Sequence, residues 1–271
     1  MSNPPLPPEI FDYIVDILHD EPKTLQNLCL VAKSRVPRTR KHLFADIKFS
    51  SPKDLESWKK TFPDPSNSPA YHTLALSVNC PAAVMAEDME EGGWIRAFSH
   101  VLRLEVESGS TPTVTDSRVS LVPFHGFSPV LKSLHVSFAL SRPQSSVFEL
   151  IISFPLLENL TLIDRNPLLD DRDDFYALQI DTPSTSPAFT GTLKLVLSGG
   201  MGFAARRLLD LPNGLHFREL KFLWFEEEDI RWAAKLAVRC SHTLECLDLE
   251  YDLLGTSVLG LSWTYSLPRY L

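Results

Sequence analysis

No uninterrupted apolar run in this sequence approaches the thickness of a bilayer, and the opening Met1-Ser2-Asn3-Pro4-Pro5 has neither a basic region nor an apolar core. These two absences argue against membrane and secretory classes, so the expected location is the cytoplasm and/or nucleus. Cysteine is sparse: Cys29, Cys80, Cys240 and Cys246 show no two-residue pairing, which excludes a zinc ribbon and a disulfide framework and leaves them as small buried hydrophobes. Positive charge is also short, with 26 Lys and Arg against 34 Asp and Glu and a net charge of -8. Nucleic acid is therefore not an expected partner. Catalytic signatures are missing as well. No His pair has the spacing of a zinc helix, and no G-x-S-x-G nucleophile elbow occurs. Ser198-Gly199-Gly200-Met201-Gly202 lacks both the Lys-Ser/Thr ending of a phosphate loop and the dinucleotide glycine spacing, so it reads as a turn. The Asp170-Asp171-Arg172-Asp173-Asp174 cluster lacks the alternation of a calcium loop and reads as a solvated loop. Asn159-Leu160-Thr161 matches a glycosylation pattern by chance, inside an expected strand. No metal, cofactor or enzymatic activity is expected.

What is present is enough apolar material, 44% of 271 residues, for one sizeable core with a small appendage. The appendage is the first forty-odd residues. Pro7 and Pro8 start a helix in which Ile10, Ile14 and Leu18 recur at four-residue intervals, Phe11 and Val15 widen the stripe, and Asp12, Asp16 and Asp20 line the wet face. A second helix is expected over Thr24 to Lys33, with Leu25, Leu28, Leu30 and Val31 on more than one side. A third runs from Pro37 to near Leu43-Phe44. Three short helices cannot hide this much apolar surface, so the segment needs a partner.

The residues Leu6-Pro7-Pro8-Glu9-Ile10, Ile14, Leu18, Thr24-Leu25, Leu30-Val31, Lys33-Ser34 and Val36-Pro37 resemble the F-box pattern, most closely that of basidiomycete fungal F-box proteins. The resemblance implies binding to a Skp-type adaptor, and through it to the cullin of an SCF ubiquitin ligase, with Leu6, Pro7, Ile10, Ile14, Leu18, Leu28, Leu30 and Val31 as the adaptor-binding set. The chain departs from the pattern at Arg35, where the family usually carries tryptophan, and at Leu28, often cysteine there. Loss of an aromatic anchor is expected to weaken docking. A plain helical cap over the following domain is the structural alternative.

Beyond residue 46, alternating apolar pairs recur: Leu76/Val78, Leu104/Val106, Leu134/Val136, Leu160/Leu162, Leu195/Leu197, Leu220/Phe222 and Leu247/Leu249. Their spacing, roughly 25 to 35 residues, is close to a leucine-rich-repeat period. Helices are expected between them, at Ser146 to Phe154 and at Glu226 to Cys240, the latter burying Ile230, Ala233, Ala234, Ala237 and Val238. Ala45 to Phe49 reads as a first strand, and Ser51-Pro52-Lys53-Asp54 as a capping box opening a helix through Lys60. Proline-rich loops follow, in which Thr182-Pro183 and Ser186-Pro187 read as ordinary turn formers, with phosphate acceptance as the alternative. This part resembles the leucine-rich repeats that follow F-boxes in fungal proteins. The expected fold is therefore α/β, an N-terminal three-helix F-box (4–46) packed on an irregular leucine-rich-repeat solenoid or horseshoe (47–254), then an irregular tail (255–271).

On such a solenoid the outward strand positions form one continuous surface, made of Arg103, Glu105, Ser133, His135, Asn159, Thr161, Lys194, Glu219, Lys221, Asp248 and Glu250. The substrate-binding expectation rests on Arg103, Glu105, His135, Asn159, Thr161, Lys194, Lys221 and Asp248. The expected function is a non-catalytic substrate receptor of an SCF-type ubiquitin ligase acting on an unknown protein substrate. The alternatives are an interaction scaffold with no ubiquitylation role and, from another class, a soluble enzyme with an unrecognised site.

Overall fold

In the computed structural model the chain is described over residues 7–31, 33, 36–79, 94–107, 124–125, 127–138, 145–164, 187, 189–197, 201–211, 214–225, 229–251 and 261–266. Three helices open it: α1 (Pro8–Ile17), α2 (Pro22–Val31) and α3 (Val36–Leu43). Then come β1 (Asp46–Phe49), α4 (Pro52–Thr61), β2 (Ala75–Val78), β3 (Arg103–Glu107), β4 (Ser133–Phe138), α5 (Ser145–Ile152), β5 (Asn159–Asp164), β6 (Thr192–Leu197), α6 (Met201–Leu209), β7 (Glu219–Phe225), α7 (Ile230–Arg239), β8 (Cys246–Tyr251) and β9 (Leu261–Ser266). The strands make one open α/β sheet whose spatial order is their sequence order, β1 to β9. Neighbours from β1 to β8 are parallel, and β9 alone runs antiparallel, on β8.

The register explains the sheet residue by residue. Ile47, Leu76, Leu104, Leu134, Leu160, Leu193, Leu220 and Leu247 lie side by side across eight strands. Two residues on, Phe49, Val78, Val106, Val136, Leu162, Leu195, Phe222 and Leu249 form a second apolar row on the same face, as a period of two requires. Most of these side chains are buried in a single core cluster. Six of the parallel strands, β2 to β5, β7 and β8, enter the sheet through the same device. The Ala45, Leu74, Leu102, Lys132, Gly191 and Arg218 carbonyls each accept two successive N–H groups of the next strand's entry, at 2.7 to 3.3 Å.

This alignment corrects the expected pair in β6. Leu193/Leu195, not Leu195/Leu197, stands level with Leu160/Leu162. A slip of two residues leaves the same face buried, so the alternating run Leu193-Lys194-Leu195-Val196-Leu197 permits either register by itself. Pairing with β5 selects one. The irregular tail expected over 255–271 contains a regular strand, β9, whose backbone pairs with the outer edge of β8. The short spacing and mixed composition of that segment hid a strand that only a partner edge stabilises.

Helix expectations hold with shifted ends. α5 buries Val147, Leu150 and Ile151 as read from the sequence, and Phe148 in addition, and α4 is opened by Asp54, whose carboxylate accepts the Ser50 and Ser51 N–H groups at 2.9 Å. α7 differs. Ile230, Ala234 and Val238, expected inside, face out, with Ile230 50% and Val238 73% exposed. Ala233 is buried and Ala237 packed partly against the core as expected, and they are joined there by Leu236, buried, and Trp232, partly so. The larger Trp232 and Leu236 side chains claim the inner space. A methyl group added at Gly202 would stand 2.8 Å from the indole Nε1, so α6 approaches α7 closely only because that position has no side chain.

An aromatic cluster ties the N-terminal helices to the sheet. Trp58 of α4 lies 5.9 Å from Phe44, just after α3, and 5.8 Å from both Phe49 of β1 and Phe98. Phe49, Phe98 and Trp94 complete it in edge-to-face pairs.

Candidate interaction surfaces

The three N-terminal helices hold together by turning a minority of their apolar residues inward. Val15 and Leu25 are buried, and Phe11, Leu18, Leu28 and Cys29 are partly so. Asp16, expected on the wet face, is the link between α1 and α3. Its carboxylate accepts from Arg38 Nε at 2.9 Å and also pairs with Arg38 Nη2 and, at 2.7 Å, with His42 Nε2. Hydrogen bonding to Arg38 first, then to His42, holds this carboxyl well below the usual range, and the same contact raises the Arg38 guanidinium.

What remains outside is apolar. Ile10 is 46% exposed, Tyr13 66%, Ile14 37%, Ile17 59%, Leu30 86% and Val31 72%. Of the expected adaptor-binding set, Ile10, Ile14, Leu30 and Val31 thus lie on the open surface with Pro7, and Leu18 and Leu28 are turned partly inward. Leu6 lies outside the described residues, as does Arg35. Tyr13 and Ile17 were missed, although their spacing of three and seven from Ile10 is a helical stripe legible in the sequence.

The open face of the sheet carries the second surface. Lys48, Ser77, Glu105, His135, Thr161, Lys194, Lys221 and Asp248 form one row in register. Lys194 therefore stands level with Thr161 and Lys221, two residues further along β5 than the expected Leu195/Leu197 alignment would place it. The adjacent row holds Asp46, Ala75, Arg103, Ser133, Asn159, Thr192, Glu219 and Cys246. Arg103 reaches across the small Ala75 to Asp46 at 3.2 Å, Glu105 stands 3.9 Å from His135, and Lys221 pairs with Glu219 at 3.0 Å. Burial would raise the Glu219 carboxyl, but bonds from Thr192 and Lys221 outweigh it and hold the group low; Lys221 is raised by the same pair. Lys194 makes no ion pair among the described residues.

Asn159 has a different role from the one expected. At the longest gap between strands, the Glu158 carbonyl takes the Gly191 N–H at 3.1 Å, and the Asn159 side-chain oxygen takes the next N–H, of Thr192, at 2.8 Å. The amide side chain thus replaces the second bond that a backbone carbonyl supplies at the other strand entries.

A third row was not anticipated: Glu107, Ser137, Ile163, Val196, Leu223 and Glu250. Its middle is apolar, on the face opposite to the core leucines. The signal was available, since Leu162-Ile163, Leu195-Val196 and Phe222-Leu223 break strict alternation. No group of His, Cys, Asp and Glu among the described residues is arranged to hold a metal, and no helix there is long and apolar enough to cross a membrane. Cys240 is buried and Cys29 and Cys246 half-buried, Cys246 on the open sheet face.

No family model, curated protein or solved structure matches the chain. Its surfaces therefore carry the functional argument. Among the described residues, polar rows of both charges lie beside an apolar row on the open face of the sheet.

Proposed function

We propose that the chain is a non-catalytic substrate-receptor subunit of an SCF-type ubiquitin ligase, in which α1 to α3 form an F-box that binds a Skp-type adaptor. In this reading the sheet is the inner surface of a leucine-rich-repeat horseshoe and binds a target protein in the cytoplasm and/or nucleus. The observation that carries it is the division of labour in the N-terminal helices. Val15, Leu25 and the Asp16–Arg38 pair hold them together, and Ile10, Tyr13, Ile14, Ile17, Leu30 and Val31 are left outside without a use in the core. Support for the repeat reading comes from the strictly sequential parallel order and the recurring strand-entry bonds. The interaction scaffold without a ubiquitylation role is favoured by one feature, Arg35 in place of the family's usual tryptophan.

The test is a pull-down of the purified chain with a Skp-type adaptor, comparing wild type with Ile10→Asp/Ile14→Asp. Wild type should bind, the variant should lose binding by at least about tenfold, and both should keep the same circular dichroism, since both positions are exposed. Failure of wild type to bind would remove the ligase reading and leave the scaffold.

A further inference from the structure

The side of the sheet that carries α6 and α7 presents a surface that neither proposed interface uses. Ile230, Ala234 and Val238 are spaced by four residues, so they form one outward stripe along α7, and the two large side chains are 50% and 73% exposed. Arg231 and Lys235, one position further round, run beside that stripe and are exposed too. With Arg206 of α6 they gather on a single indole. Arg206, Arg231 and Lys235 stand 5.5, 5.4 and 4.3 Å from the Trp232 ring centre. The ring attracts these cations without neutralising them. None of the three is paired with a carboxylate among the described residues, in a chain whose net charge is -8. An apolar strip about 12 Å long, two turns of helix, is thus bordered by three cations that make no ion pair among the described residues.

We propose that the exposed face of α7 docks an acidic amphipathic helix of a partner protein, its apolar stripe on Ile230, Ala234 and Val238 and its carboxylates on Arg231, Lys235 and Arg206. The chain's overall negative charge favours this partner over an anionic bilayer or a nucleic acid. An extended polyanionic surface is repelled by the acidic remainder of the molecule, whereas a short helix needs only local complementarity. This surface is independent of adaptor docking by α1 to α3.

The experiment is a display selection of random peptides on the full-length chain, followed by fluorescence anisotropy of the synthesised winners. Expected winners carry Leu, Ile or Phe at helical spacing flanked by Asp or Glu. Arg231→Glu/Lys235→Glu should weaken them about tenfold or more, Val238→Asp should do the same, and added salt should weaken wild-type binding. The Val238 side chain is exposed, so Val238→Asp should leave thermal melting unchanged, Arg231→Glu/Lys235→Glu should lower it only by the lost contacts to Trp232, and adaptor pull-down should be unaffected by either. The proposal is overturned if no peptide is enriched, if winners bind the charge-reversed variant as well as wild type, or if phosphatidylserine vesicles bind and peptides do not.

Discussion

Single residues repair the places where the repeating pattern breaks. At the gap before β6 the Glu158 carbonyl takes only the first of the two strand-entry N–H groups, and the Asn159 side chain accepts the second because Gly191 leaves room. A Cβ at position 191 would lie 2.1 Å from the Asn159 Oδ1 and 3.2 Å from the Glu158 carbonyl oxygen. Gly191→Ala should therefore evict the Asn159 side chain and cost about 1–3 kcal/mol in urea unfolding. Asn159→Ala should add little on top of it, because both changes remove the same bond. Phe189 answers the same break. It adopts a positive φ of 43°, is buried, and packs its ring 4.9 Å from that of Phe217 in a tilted pair while its N–H reaches the Leu157 carbonyl at 2.8 Å. The strained backbone lets the ring enter the core four residues before Leu193, where Phe217 sits three before Leu220. Neither Asn159 nor Phe189 could be given this role from sequence, because the role exists only relative to the neighbouring strand. Burial also pushes the Cys240 thiol up to about 11. Native alkylation at pH near 8, read by mass spectrometry, should label the half-buried Cys29 and Cys246 well before Cys240.

Elements were legible where a period was strong and uncertain where two faces competed. α5 has one apolar stripe and buries it; α7 has apolar residues nearly all round, and packing of Trp232 over Gly202 selects the face. In α1 the periodicity located the helix but could not reveal that Asp16 faces α3. That contact has a pH signature. The folded carboxyl titrates below its ordinary 3.8, so its contribution to stability is complete above that value. It is lost as pH falls below 3.8 toward the lowered folded value, because the unfolded chain takes up the proton first. Asp16→Asn should therefore increase hydrogen exchange in α1 and α3 by a constant factor from neutral pH down to about 4, with the difference from wild type shrinking in stronger acid. At the junction with the sheet, Phe98 is fully buried among Phe49, Trp58 and Trp94. Phe98→Ala should lower unfolding stability by about 3–5 kcal/mol, measured by denaturant titration.

At the scale of the whole molecule, a parallel sheet laid down in sequence order has two edges far apart in the chain. The β1 edge belongs to the first strand after the N-terminal helices, and β9 pairs along the last parallel strand, β8. Removing residues 255–271 should expose the β8 edge, whose unpaired N–H and C=O groups template association. The shortened chain should elute as oligomers in light-scattering chromatography at concentrations where the full chain does not. If it stays the same size and equally soluble, β9 is dispensable as edge protection.

The sequence by itself determined the α/β class, the three N-terminal helices, the strand cores and the face each strand buries, because those follow from local period and from where apolar side chains can avoid water. Tertiary structure alone decided the β6 register, the outward turn of Ile230 and Val238, the bridging role of Asn159 and the pairing of β9. Each of these is a choice among locally equivalent arrangements. A two-residue slip, a rotated helix or an unpaired strand satisfies the local pattern equally well, and only contact with a neighbour separates the alternatives in energy.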